Sequence, residues 1–113
     1  MPDHVFFVLS HPPAGLPEGE YDRWYDVHVR EVLEVPGFVA AERFALRFVR
    51  SSTGERVPYS YNVRYEIDGD FDAAMRGLRA AVDSGSMTFP DWYPGVGSAG
   101  WECTSLGRVE PTG

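Results

Sequence analysis

The spacing of apolar and polar residues predicts six secondary-structure elements along the chain. Residues 5–9 form a short β-branched and aromatic run closed by Ser-His-Pro-Pro, which is typical of a buried strand followed by a loop. Between Pro17 and the break at Pro36-Gly37, apolar or aromatic residues and one histidine recur at offsets 0, 3, 4, 7, 8, 11 and 12 from Tyr21, which is one continuous helical face. The predicted strands cover residues 5–9, 38–49, 59–67 and 101–109, and the predicted helices cover residues 17–35 and 70–82.

The order β-α-β-β-α-β is that of the ferredoxin-like arrangement, with one antiparallel four-stranded sheet and both helices on one face. We expect residues 1–113 to form a single domain of this α+β class. The first strand is apolar on both sides, so the sheet face without helices would be an adhesive patch. A second copy of the chain is expected to cover it, which predicts a homodimer with two sheets face to face.

Composition removes several classes of function. The chain of 113 residues carries a formal charge of −7, which disfavours nucleic acid and anionic membrane surfaces as partners. All ten basic residues are Arg, so a Schiff-base lysine and a GK[ST] phosphate loop are excluded. The single Cys103, expected to be inert packing, and the scattered histidines lack metal-site spacing, and no apolar run reaches membrane-spanning length. We therefore expect a cytoplasmic protein with no metal and no cofactor.

His28 lies in the middle of the apolar face of the first helix, between Trp24 and Val32. Two interpretations remain open: a core histidine that hydrogen-bonds a carbonyl or a Tyr hydroxyl, or a functional group in a cavity. A partly desolvated histidine beside aromatic rings would have its protonation tuned near neutrality, which suits a general acid or base.

Aromatic residues supply candidate walls for such a cavity. Trp24 and Tyr25 flank His28, and Tyr61 and Tyr65 belong to the strand face assigned to the helices. Residues 84–100 are rich in Gly and Pro yet contain large aromatics, so this loop is expected to pack on the body as a lid or a wall. Ordinary core packing is the alternative for each aromatic. The predicted site residues are His28 and Tyr61 for catalysis and, for substrate binding, Trp24, Tyr25, Tyr65, Phe89, Trp92 and Tyr93.

Three arginines are expected on strand faces opposite the aromatic ones: Arg43, Arg47 and Arg64. There they would pair with carboxylates across the dimer or meet solvent, and an anion-holding pair is the functional alternative. Asp91 is expected either at the cavity mouth or as a plain turn residue.

Several of these residues also carry a resemblance to a known family. The Trp24-Tyr25 pair, His28 three residues after the Tyr, the Pro-Gly-Phe at residues 36–38 and the Ala-x-Arg-Phe at residues 41–44 resemble the EthD-like group of dimeric α+β barrel proteins. The resemblance implies a homodimer and a ligand cleft between sheet and helices, into which the helical histidine points. It leaves the reaction open, because fold is a poor guide to chemistry.

The function predicted from these observations is that of a small cofactor-independent enzyme of lyase, dehydratase or cyclase type. Its substrate would be an apolar, aromatic or polycyclic molecule that bears a carbonyl group. His28 would act as general acid or base, and Tyr61 or Tyr25 would donate a hydrogen bond to the developing oxyanion. The alternatives are a cofactor-independent monooxygenase on a phenolic substrate, a non-catalytic small-molecule-binding module, and haem binding through His28.

Overall fold

The computed structural model describes residues 4–56 and 58–112. Its six main elements follow the predicted order, and a single 3₁₀ turn, Tyr93–Gly95, precedes the last strand. The elements are β1 (His4–His11), α1 (Glu20–Val32), β2 (Phe38–Ala45), β3 (Tyr61–Ile67), α2 (Phe71–Asp83) and β4 (Gly97–Cys103).

The four strands form one antiparallel sheet in the order β2-β3-β1-β4. This confirms the ferredoxin-like α+β prediction, including the β2–β3 hairpin. Residues of α1, α2 and β3 share one hydrophobic core on the helical face of the sheet, and its most deeply buried side chains are Val32, Val63 and Ile67. In the described part of the chain, no helix has the length and apolarity needed to cross a membrane.

Both helices are shorter than or offset from their predicted ranges for local reasons. Gly19, with φ of 83°, precedes α1, which begins at Glu20 rather than at Pro17. The helix ends at Val32 rather than at Val35, ahead of the Pro36-Gly37 break. The predicted cap of α2 is present, since the carboxylate of Asp70 accepts hydrogen bonds from two backbone N–H groups of the first turn.

A β-bulge in β2 overturns one sequence-based prediction. Phe38 pairs with Ile67 but Ala40 pairs with Glu66, so β2 has one extra residue at this point. The bulge reverses the alternation that follows it, because side chains of successive strand residues point to opposite faces. Arg43 was predicted opposite the aromatic face, but it pairs with Val63 and lies on the helical face. That prediction was wrong, whereas Arg64 is exposed on the other face as expected.

The last strand also differs from its predicted range. It spans Gly97–Cys103 and pairs with β1, whereas residues 104–109, predicted to continue the strand, lie outside it and are exposed. The first residues of β4 are small and have little strand propensity. Pairing with β1, rather than composition, therefore determines where this strand begins. Cys103 is exposed, so the prediction that it packs is wrong for the single chain.

The face of the sheet opposite the helices carries apolar side chains. Phe6 and Val8 of β1 pack on the core, so Val5, Phe7 and Leu9, which alternate with them, point to the open face. These three are half-buried in the single chain. Trp101 pairs with Phe7 and has 51% of its surface exposed.

Candidate functional site

A cavity of about 640 Å³ lies between the helices and the helical face of the sheet. Residues 89–96 of the loop between α2 and β4 form one side of it, so the prediction that this loop packs as a wall is confirmed. The lining is mostly apolar and aromatic, which is typical of small-molecule sites. The volume is large enough for a flat molecule of two or three fused rings.

His28 is held in this lining by aromatic rings on its own helix and on the loop. Its imidazole stacks on the Trp24 indole, with ring centroids 4.8 Å apart and an angle of 14° between the planes. Tyr25 meets it edge to face at 5.5 Å, and Phe89 lies 5.7 Å away. The spacing of residues 24, 25 and 28 along α1 places these side chains together, since residues three and four apart share a helix face.

The surroundings of His28 favour its neutral form. Burial lowers the pKa of His28 from its ordinary value, and the nearby carboxylate of Glu31 opposes this effect only in part. The Nδ1 atom is buried and has no hydrogen-bond partner among residues 4–56 and 58–112. An imidazole that is neutral at pH 7 and lines the cavity is suited to exchange a proton with a bound molecule.

Two buried tyrosines share the cavity with His28. Burial raises the pKa of Tyr25 and of Tyr65, so both phenols stay protonated and can act only as neutral hydrogen-bonding groups at physiological pH. Below them, the Tyr21 hydroxyl donates a 2.7 Å hydrogen bond to Ser10, whose side chain also lines the cavity. Apart from Asp91 on the loop, the polar side chains of the cavity are thus a histidine and neutral hydroxyls.

Arg43 supports the tyrosines from outside the cavity. Its guanidinium lies 4.8 Å from the centre of the Tyr25 ring and 5.8 Å from that of Tyr61. It is also paired with Asp22 of α1 at 2.8 Å. The positive charge acts against the effect of burial on the pKa of Tyr25. Arg43 is therefore an intrachain partner of α1, and the predicted pairing across a dimer does not describe it.

Six of the eight predicted site residues line the cavity, and two do not. Tyr61 packs against Tyr21, at a centroid distance of 5.3 Å, and against Arg43. Trp92 contacts the indole of Trp24 edge to face at 5.5 Å and lies behind it. The residues brought together are His28, Trp24, Tyr25, Tyr65, Phe89 and Tyr93, with Asp91 also on the lining.

Sequence reasoning missed the part of the lining that comes from β1, α2 and the start of β4. Phe6, Val8 and Ser10 alternate along β1, and Leu78 and Val82 lie on the predicted apolar face of α2. Alternation places these residues on shared faces, but which face of β1 meets the helices depends on pairing with β3 and β4. The alternation is visible in the sequence, but the strand pairing that decides which face meets the helices is not.

In the described ranges, no group of three or more His, Cys, Asp or Glu side chains is arranged to hold a metal ion.

Comparisons with known proteins bear on the fold. No protein-family profile matches the chain, and no curated protein matches it significantly. Among solved structures, the chain resembles SnoaB, a cofactor-independent oxygenase from Streptomyces nogalater, with 19% identity, a TM-score of 0.59 and coverage of 96% of this chain and 99% of that one. It also resembles a dimeric ferredoxin-like protein of unknown function from Thermobifida fusca, with 12% identity, a TM-score of 0.54 and 92% coverage of both chains.

An EthD-family protein from Bacillus halodurans matches with 11% identity and a TM-score of 0.49 over 94% of this chain and 100% of that one. The similarities to SnoaB and to the Thermobifida fusca protein extend over more than nine-tenths of each chain. At identities of 19% and 12% they establish architecture alone. The chain has the ferredoxin-like α+β fold that these proteins share.

Proposed function

We propose that the protein is a small cofactor-independent enzyme in which His28 removes a proton from an apolar aromatic substrate that bears a carbonyl or phenol group. The observation that carries the proposal is a desolvated imidazole on the wall of an aromatic cavity, whose buried Nδ1 has no hydrogen-bond partner in the described part of the chain. A core histidine with a purely structural role would be expected to have a partner for its buried nitrogen.

The proposed step transfers a proton from an acidic C–H or O–H group of the substrate to the imidazole. Negative charge then develops on the substrate oxygen, where a neutral phenol can stabilise it by donating a hydrogen bond. Tyr25 is better suited to this role than Tyr61, because Tyr25 lines the cavity whereas Tyr61 packs against Tyr21 outside the lining. A hydroxyl that stays protonated near neutral pH keeps this donor available.

Two reactions can follow from the same anion. Loss of a leaving group or attack on a second carbonyl gives lyase, dehydratase or cyclase chemistry. Reaction with dioxygen is oxygenase chemistry: a ring CH₂ that becomes a carbonyl gives up four electrons, which reduce both atoms of O₂, one to water and the other to the carbonyl oxygen of the product. The similarity in fold to a cofactor-independent oxygenase supports testing this second branch directly.

Anthrone is a suitable first probe, because it combines flat apolar rings, a carbonyl group and an acidic CH₂. We expect wild-type protein to accelerate its conversion, and His28→Ala to lower kcat/KM by about a hundredfold or more, as for loss of a general base. Oxygen uptake measured with an electrode separates oxygenation from conversion without O₂. His11→Ala is the matched control, because His11 is exposed and bonds Ser60 outside the cavity.

A folded His28→Ala variant that turns over anthrone at the wild-type rate would show that the proposed role is wrong. Anthrone binding with no turnover in the wild type would instead favour the non-catalytic binding module.

We also propose that the open face of the sheet is covered by a second copy of the chain. Val5, Phe7, Leu9 and Trp101 form an apolar surface there, and Leu106 beyond β4 is fully exposed in the single chain. Sedimentation at micromolar concentration should give a dimer for the wild type and a shift toward monomer for Phe7→Arg. A clean wild-type monomer would contradict the proposal.

A further inference from the structure

Two side chains of α1 hold the backbone of Thr88 from either side of His28. The indole Nε1 of Trp24 donates a 2.9 Å hydrogen bond to the Thr88 carbonyl oxygen. The Thr88 N–H donates to the carboxylate of Glu31, with both oxygens 3.2 Å from the nitrogen. Residues 24, 28 and 31 are four and three apart and so share a helix face. Thr88 therefore bridges the stretch of α1 that carries the imidazole.

This pair of contacts determines where Phe89 lies. Residues 84–92 contain no helix or strand, so side-chain contacts rather than a backbone ladder position this part of the loop. Phe89 follows Thr88 directly, and its ring lies 5.7 Å from the imidazole of His28 and 4.6 Å from the ring of Tyr93. Release of Thr88 would thus loosen one aromatic wall of the cavity and admit water to His28.

Glu31 also brings a negative charge toward His28. Its carboxylate raises the pKa of His28 against the larger, opposite effect of burial. No other charged group is found to act on His28 within the described ranges. The other titratable groups facing the same cavity are Tyr25 on α1, Tyr65 on β3, and Asp91 and Tyr93 on the loop. The elements α2 and β1 present no titratable group to it: α2 contributes Leu78 and Val82, and β1 contributes Phe6, Val8 and Ser10.

We propose that Glu31 is a positioning residue for proton transfer at His28. Its carboxylate holds Thr88, and with it Phe89, over the imidazole, and it stabilises the imidazolium formed when the proton arrives. For its part in turnover the proposal rests on the proposed function of His28. Both effects of Glu31, its hydrogen bond to Thr88 and its charge near His28, are nevertheless measurable in the protein without substrate.

Glu31→Gln separates the charge from the hydrogen bond, because the amide oxygen can still accept from Thr88. Proton NMR titration should show the pKa of His28 falling by about half a pH unit in this variant, as expected on removal of one nearby partly exposed carboxylate. The acid limb of kcat/KM for anthrone should move to lower pH by the same amount. The indole N–H resonance of Trp24 should stay at its wild-type position.

Glu31→Ala removes both the charge and the hydrogen bond to Thr88. The pKa of His28 should fall as in Glu31→Gln, and the Trp24 indole N–H should in addition shift and exchange faster with solvent. KM for anthrone should rise by about tenfold, because binding would then have to order the loosened Phe89 wall, at a cost similar to the lost charge-assisted hydrogen bond. Glu34→Gln is the matched control, because Glu34 is exposed just beyond the end of α1 and should leave all three readouts unchanged.

The proposal is overturned if Glu31→Gln leaves the pKa of His28 at its wild-type value, or if Glu31→Ala leaves the Trp24 resonance in place. These two readouts need no turnover. If anthrone is not converted by any variant while both shifts occur, the positioning role of Glu31 stands and the proposed enzymatic function fails.

Discussion

The hydrogen bond between Tyr21 and Ser10 joins α1 to β1 directly beneath the cavity, and its contribution to stability can be worked out from its surroundings. Tyr21 has 4% and Ser10 2% of its surface exposed, and their oxygens are 2.7 Å apart. Ser10→Ala would leave the Tyr21 hydroxyl buried without its acceptor, at a cost of about 2 kcal/mol. Tyr21→Phe should cost about 1 kcal/mol, because Ser10 lines the cavity and its hydroxyl can turn toward that space.

The double variant is the informative one. Once Ser10 is Ala, removal of the Tyr21 hydroxyl takes away an unsatisfied group, so the double variant should be no less stable than Ser10→Ala alone, at about 2 kcal/mol. The two single costs sum to about 3 kcal/mol, so the coupling energy should be about 1 kcal/mol, or about 4 °C in Tm for a chain of this size.

Urea unfolding followed by circular dichroism measures these differences, at a fixed protomer concentration because association would shift the midpoint. Tyr59→Phe is the control, since Tyr59 is half-buried and lies outside the cavity lining. Additivity of the two single variants to within about 0.4 kcal/mol would refute the reasoning.

Three further predictions test other features. Because burial lowers the pKa of His28 below its ordinary 6.5, the unfolded chain takes up a proton first as pH falls below that value, so the wild type loses stability there. His28→Gln should lack this pH-dependent loss of stability. If the difference in unfolding free energy between the wild type and His28→Gln is the same at about pH 8 and about pH 5, the prediction is wrong. Gly100→Ala should lower stability by about 1–3 kcal/mol, because its Cβ would lie 2.8 Å from Phe6, while Gly97→Ala meets open space; equal Tm values for the two would count against this packing. Asp70→Ala should cost about 1 kcal/mol in urea unfolding through loss of the α2 cap, and Asp70→Asn much less; equal losses would exclude capping as the cause.

The helical part of the site was predictable from the sequence because its geometry is local. A period of 3.6 residues is enough to place Trp24, Tyr25 and His28 on one face, and their contacts in the structure follow that spacing. The aromatic content of the loop likewise indicated that it packs, since exposure of Phe89 and Tyr93 to water would be unfavourable. The element order was sufficient to predict the sheet with its two helices.

The strand part of the site was less predictable because it depends on pairing between distant segments. A single bulge after Phe38 moved Arg43 to the other face of the sheet, and no residue type in β2 signals that extra residue. The start of β4 at Gly97 follows from its partner strand rather than from its own composition. The separation of Tyr65, which lines the cavity, from Tyr61, which does not, depends on where α1 crosses the sheet.

The stacking of His28 on Trp24 gives the protein an internal optical signal. An imidazolium in contact with an indole quenches its fluorescence, whereas neutral imidazole does so far less, and these two rings lie 4.8 Å apart and nearly parallel. Emission from Trp24 should therefore follow the charge on His28 as pH changes or as a ligand donates its proton. The chain thus carries its own proton indicator at the candidate site, readable without a label as the pH-dependent part of the emission from its three tryptophans.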